Sequence, residues 1–296
     1  MSVAAASVTH FDIVPRSNLD FGLASDNIPR HWLAGDPFKT RFFDAMSTLF
    51  PDGERFFIQC VRDFRERITD PDLQAQVKDF IFQEAQHGKI HTDFNDRLHR
   101  QGIDVPQIVE GQLKILGWYR KHTSREYTLG ITAAAEHMTA LMAHFFLENP
   151  EVFDNADPRI RAMYFWHAVE EIEHKAVAFD VMRDVAKVGY WKRCLAMLNL
   201  SVSFPLHTLM IVRAMLKRDG YTAAERRKIW AKGLWWLYGP GGVYGKMLRH
   251  YISYYKPGYH PWDQGETRTF EQWRQAYQAN GGDPIAASNQ FLGQPA

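Results

Sequence analysis

The chain has 296 residues, 46% of them hydrophobic, enough apolar material for a substantial core, so disorder is excluded as the default. Lys and Arg number 35 against 34 Asp and Glu, so the near-neutral chain carries no general signature for nucleic acid and no such partner is expected. Cys60 and Cys194 stand far apart without CxxC or Cys/His spacing, which argues against a disulfide framework or a thiolate zinc site and fits a reducing cytoplasm.

The opening MSVAAASVTHFDIVPRSN lacks a basic start followed by a continuous apolar run, so no signal peptide is expected, and residues 1–37 read as an irregular arm. From about Phe38 to Tyr255 apolar residues recur at three- and four-residue intervals while period-2 alternation is nearly absent, which predicts an all-α fold. Helices are expected near Phe38 to Leu49, from about Gly53 to Ile68, over Pro71 to Gln101, near Pro106 to Lys121, over Ser124 to Leu147 and over Pro158 to Val188. Asp70-Pro71 and Asp157-Pro158 each set a capping side chain before a proline suited to the first helical position. Thr123-x-x-Glu126, Thr222-x-x-Glu225 and Thr269-x-x-Gln272 have capping-box spacing, and Gly102, Gly189 and Gly281 sit where C-terminal caps are expected.

Residues 38–189 thus form the helical body, 190–262 an apolar and then basic, aromatic helical extension, and 263–296 a polar tail with a short helix near Phe270, all within one domain. The stretch from Cys194 to Val212 has no Asp, Glu, Lys or Arg; Ile211 to Pro257 then holds ten Lys or Arg against Asp219 and Glu225. A spanning helix needs roughly 20 predominantly apolar residues. Asn199, Ser201, Ser203, Pro205, His207 and Thr208 interrupt this one, so a buried cover helix is expected. Basic helices bearing Trp235, Tyr238 and Tyr244 also suit a membrane surface or the frame of an apolar entrance. The expectations are a cytoplasmic protein, peripheral membrane contact through the C-terminal helices as an alternative, a small hydrophobic or aromatic substrate, and a homodimer.

The chemistry is concentrated in Glu84-Ala-Gln-His87 and Glu171-Ile-Glu-His174, the ExxH spacing twice on predicted long helices. Three residues along a helix leave two side chains about 60° apart on one face, so acid and imidazole reach one ion. Carboxylate oxygen with imidazole nitrogen suits iron first, with manganese or zinc as alternatives. In ferritin-like di-metal bundles two helices supply ExxH and two supply one glutamate each. Glu54 and Glu136 fill those slots in the order Glu, ExxH, Glu, ExxH, so the expected architecture is a ferritin-like four-helix bundle with a di-metal site plus additional C-terminal helices. Glu54 has a competing reading as a first-turn acid that complements its helix dipole. His167 and His91 share the metal-facing stripes; the first is read as a further ligand and the second as a partner behind the ligands. Spacing leaves Glu170 and Glu171 competing for one role, and it reads His137, His144 and Glu173 as packing or solvent contacts.

Phe50-Pro-Asp-Gly-Glu-Arg-Phe-Phe, Gln83-Glu-Ala-Gln-His-Gly-Lys-Ile-His91, Trp166-His-Ala-Val-Glu-Glu-Ile-Glu-His-Lys-Ala-Val-Ala-Phe-Asp180 and Tyr259-His-Pro-Trp262 resemble the bacterial family of predicted metal-dependent hydrolases over most of the chain. His167-x3-Glu171-x2-His174 is similar to the last ligand helix of the di-iron arylamine N-oxygenases. Carried over by position, that similarity implies Glu54, Glu84, His87, Glu136, His167, Glu171 and His174 as ligands, and no substrate. Dioxygen activation on two iron ions with an external electron donor is the leading expectation. A hydrolase using metal-bound water is the first alternative, and non-catalytic iron binding the second. Glu170, Glu173 and His91 are the candidate catalytic groups beyond the ligands. No nicotinamide or flavin fingerprint is present.

Overall fold

Asp36 accepts a hydrogen bond from the Lys39 backbone N–H and Pro37 takes the first helical position, so helix α1 starts at once and runs Pro37–Arg62. The sequence predicts two helices here, broken before Gly53; the computed structural model, which describes residues 12–265 and 267–294, contains one. Pro51 lacks the N–H that would bond the Ser47 carbonyl. Asn95 Nδ2 donates to that carbonyl at 2.9 Å and Gln112 Nε2 donates to the Leu49 carbonyl at 2.5 Å, so partners from other helices make good the gap. Glu54 is therefore a mid-helix residue, not a first-turn acid.

Helices α2 (Pro71–Arg100), α3 (Val105–His122), α4 (Arg125–Glu148) and α5 (Pro158–His174) follow, capped by Asp70, Asp104, Ser124 and Asp157. The cap of α4 is Ser124 and not Thr123, because the Thr123 hydroxyl donates back to the Tyr119 carbonyl and closes α3. The helix expected to reach Val188 stops at His174; after a turn come α6 (Val177–Asp180) and a π-helical turn, Val181–Val185. Apolar spacing is unchanged across this break, so periodicity could not reveal it. Then come α7 (Tyr190–Arg218), α8 (Ala223–Tyr238), α9 (Val243–Ser253), α10 (Arg268–Ala279) and α11 (Pro284–Phe291). The Thr222–Glu225 capping box of α8 forms, whereas α10 is capped by Thr267, Gly189 precedes α7 as its N-cap, and α11 was not expected.

Among the described residues the protein is all-α, with one isolated bridge between Leu33 and Ala156. α1, α2, α4 and α5 form a helical bundle with two apolar clusters. Phe43, Trp32, Tyr164 and Phe153 lie in one; Phe56, Phe80, Leu129 and Phe179 lie in the other. The extension is fastened to α1 in two ways. Arg41 donates from Nε and a terminal nitrogen to Asp219, at 2.8 and 2.5 Å, and Gly233 stands where an added Cβ would lie 2.0 Å from the Phe38 ring.

α7 is not the buried cover helix expected from its composition. Among the described residues it is the one helix long and apolar enough, by length and composition, to cross a membrane, yet only 28% of its apolar window is buried. Ala196, Met197, Val212 and Leu216 pack inward, while Trp191, Val202 and Met210 are 61–81% exposed, because no further element covers that face among the described residues.

Candidate metal centre

Between the apolar clusters the bundle holds a polar interior. α1 contributes Glu54, α2 contributes Glu84, His87 and His91, α4 contributes Glu136, and α5 contributes His167, Glu171 and His174. Glu54, His87 and His167 form one group, and Glu84, Glu171 and His174 another; within each group the candidate ligand atoms lie within 4.8 Å of one another. Glu171 Oε1 faces both groups, 2.9 Å from His167 Nε2, 3.5 Å from His87 Nδ1 and 3.7 Å from His174 Nε2. Glu84 Oε1 and Glu136 Oε2 approach His174 Nε2 at 3.2 and 3.3 Å. Gly88 permits the closeness of α1 and α2, since a Cβ there would meet a Glu54 oxygen at 3.3 Å.

Both oxygens of Glu54, Glu84 and Glu136, Oε2 of Glu171, Nδ1 of His87 and Nε2 of His174 are buried without a hydrogen-bond partner. Such groups are destabilising by several kcal/mol when left so, on the order of the desolvation penalty of each ion. Burial and the neighbouring acids push the Glu54 and Glu84 carboxyls far up, and burial pushes Glu136 up to about 7. Glu171 is also opposed by burial, but the facing imidazoles of His167 and His174 hold it well below the carboxylate range. Two divalent cations would neutralise four carboxylates, and oxygen plus imidazole donors without a thiolate suit iron, manganese or zinc. The residues fit a pair of metal ions.

A family model described as predicted metal-dependent hydrolase matches residues 15–265. The chain belongs to this family. Neither a search of curated proteins nor one of solved structures returned a match.

In this predicted metal-dependent hydrolase each imidazole is fixed from behind. His87 Nε2 lies 3.0 Å from Glu170 Oε2, and His174 Nδ1 lies 2.9 Å from Gln83 Oε1, so each ring donates outward and turns its other nitrogen inward. Ser47 donates to Asn95 Oδ1 at 2.9 Å and therefore accepts from His91 Nδ1 at 2.8 Å. His91 Nε2 is then an acceptor, and His167 Nδ1 donates to it at 2.6 Å. His167 Nε2 faces Glu171 Oε1 across 2.9 Å, and a cation between them would take both as ligands.

Glu170 and Glu173 face away from both groups. Arg16 and the Trp166 indole each donate to Glu170 Oε1 at 2.9 Å. Arg16 also grips both Glu173 oxygens, at 2.6 and 3.0 Å, and Gln83 Nε2 and the Val14 N–H donate to the same carboxylate. Spacing read Glu173 as a packing or solvent contact; the structure buries it in this network. Spacing also gave no hint of Arg16, which lies in an arm without periodicity, or of Gln83 and Trp166, which only their adjacency to Glu84 and His167 could have suggested. His137 lies outside the centre, with Nδ1 2.9 Å from the Tyr259 hydroxyl.

One wall of an adjoining cavity of about 150 Å³ consists of Glu54, His167 and Glu171; most of the rest is apolar, including Phe57, Leu116 and Phe204. Glu170, Glu173 and His91 are not among its lining residues.

The crowded carboxylates make a sign prediction for metal-free protein. Between the ordinary carboxyl range and the raised values, about 7 for Glu136, the folded state binds more protons than the unfolded one. Stability is therefore fully present below the ordinary range and falls as pH rises through the raised values. Glu54→Gln should raise the stability of metal-free protein at pH 8 by about 1–3 kcal/mol, with the gain shrinking toward pH 5. Denaturant titrations with chelator present measure it, and a destabilised variant at pH 8 would contradict the electrostatic account.

Proposed function

We propose that this protein is a ferritin-like di-iron enzyme that uses dioxygen to oxidise a small apolar or aromatic molecule bound in the adjoining cavity. Glu54, Glu84, His87, Glu136, His167, Glu171 and His174 are its metal ligands in this reading. The observation that carries it is the junction at Glu171: one carboxylate faces both groups of candidate ligands and also forms part of the cavity wall. Bound iron(II) would supply reducing equivalents to dioxygen, with an external donor restoring them after each turnover.

The chain's own residues do the remaining work. Apolar side chains line most of the cavity and favour an apolar ligand over water there, and its volume of about 150 Å³ is of the size that takes up a single aromatic ring. Glu170, Gln83 and the line His91, Ser47, Asn95 hold the three imidazoles in orientation. Glu170, Glu173 and His91 thereby become positioning residues, since none lines the cavity.

The family description favours a second reading, hydrolysis. That reading needs a base beside the substrate, and Glu170 and Glu173 are engaged with Arg16 instead. Metal analysis followed by anaerobic iron(II) loading and exposure to dioxygen separates the two. The expected result is two iron ions per chain, dioxygen consumption and a transient optical absorption. Two zinc ions with ester or amide turnover and no dioxygen consumption would replace this proposal by the hydrolase; uptake of many iron ions into an assembled cage would replace both by storage.

A further inference from the structure

Trp191, Leu195, Leu198, Val202, Leu206 and Met210 recur at steps of four or three residues along α7 and are 55–81% exposed. The stripe is about 29 Å long at 1.5 Å per residue. On one side α3 joins it, with the Tyr119 hydroxyl donating to Asn199 Oδ1 at 3.0 Å, and adds exposed Leu113, Ile115 and Trp118. On the other side α9 joins it, with the Tyr251 hydroxyl donating to Ser201 Oγ at 2.8 Å, and adds exposed Leu248 and Ile252. Contiguous apolar surface of this extent marks an interaction site on a soluble fold.

The charge of the segment that carries the stripe is one-sided. Residues 190–256 contain twelve Lys or Arg and only two acids, Asp219 and Glu225. Asp219 is bound by Arg41, and Glu225 caps the N-terminus of α8. Lys192, Arg213, Lys217, Lys228, Lys232 and Arg249 are all exposed.

We propose that the α3–α7–α9 face seats on an anionic lipid bilayer. Apolar side chains enter the acyl boundary, Trp118 and Trp191 lie at the level of the headgroups, and the basic residues meet lipid phosphates. A second copy of the chain is the poorer occupant, because a face-to-face dimer would set this positive field against itself. Nor does α7 cross the bilayer: Ala196, Met197, Val212 and Leu216 tie it to the bundle, so it lies along the surface. Asn199, Ser203 and His207 of the same helix line the cavity beside the candidate ligands. Only the idea that this route feeds substrate to the centre rests on the di-metal reading; the docking itself does not.

The test is co-sedimentation of full-length protein with vesicles of phosphatidylcholine, with and without phosphatidylserine, with metal content measured in the same samples. Binding should be at least about tenfold tighter with phosphatidylserine and should weaken in high salt. The double variant Leu198→Asp with Val202→Asp, at solvent-facing positions, should lose binding at least about tenfold while keeping the helical circular dichroism of the parent. Lys192→Glu on α7 with Arg249→Glu on α9, both exposed, should lose the preference for phosphatidylserine. Wild-type protein that ignores both vesicles, or an aspartate variant that binds as the parent does, overturns the proposal. So does a wild-type dimer that the aspartate variant converts to monomer without vesicle binding at any stage. Vesicle binding by protein that takes up no metal would leave the docking intact and sink the di-metal reading alone.

Discussion

Glu171→Ala should lose both metal ions together. Its Oε1 is 2.9 Å from His167 Nε2 in one group and 3.7 Å from His174 Nε2 in the other, and no second carboxylate is as close to both. Glu54→Gln should weaken only the group with His87 and His167, and Glu84→Ala only the group with His174. Loss of a partner behind a ligand lowers metal affinity by about 10–100-fold, so removal of the shared ligand should cost at least about a hundredfold in affinity and in turnover. Elemental analysis after gel filtration provides the count. Two full equivalents retained by Glu171→Ala would remove Glu171 from the ligand set and, with it, the link between the groups. The folded state should survive, because the variant also loses one of four crowded buried acids.

Arg16→Ala should be the most destabilising single truncation around the centre, by about 3–5 kcal/mol at pH 8, the usual cost of breaking a buried ion pair from one side. Arg16 is 5% exposed and holds two carboxylates that are themselves buried, Glu170 and Glu173. Burial raises Glu170 to about 7 even beside that guanidinium, which works in the opposite direction. Without Arg16 the Glu170 carboxyl should titrate higher still, so the folded state will prefer it protonated. The deficit should therefore be largest at high pH and shrink as pH falls toward the ordinary carboxyl range. Denaturant titrations at pH 8 and pH 5 test the sign, and an equal loss at both would mean that packing rather than charge is what Arg16 provides. Because Glu170 orients His87, metal affinity should fall as well, by about 10–100-fold.

Several parts of this arrangement were legible without coordinates, and the reason is their range. ExxH is a helical spacing, so Glu84 with His87 and Glu171 with His174 share a face wherever their helices go. Apolar periodicity likewise needs only neighbours in the chain, and it identified the helical class and most helix starts. The same locality explains the errors. Two helices were expected where α1 is continuous, because the donors that satisfy the carbonyls near Pro51 are Asn95 and Gln112, contributed by α2 and α3. Break and register are invisible to a pattern that persists through them, as after His174.

The sequence by itself determined which residue types could meet a cation: four acids and three imidazoles on helices of matching order. Only tertiary structure decided how they are used. It put Glu54 in mid-helix through Pro51. It turned Glu171 inward and Glu170 outward because Arg16, 154 residues before Glu170, supplies a charge on the outer side. It also left one face of α7 bare, since composition records that a helix is apolar while packing alone determines which side finds a partner. Spacing along a helix fixes direction to within a turn; the partner that compensates a buried charge comes from anywhere in the chain, and its position is a property of the folded whole.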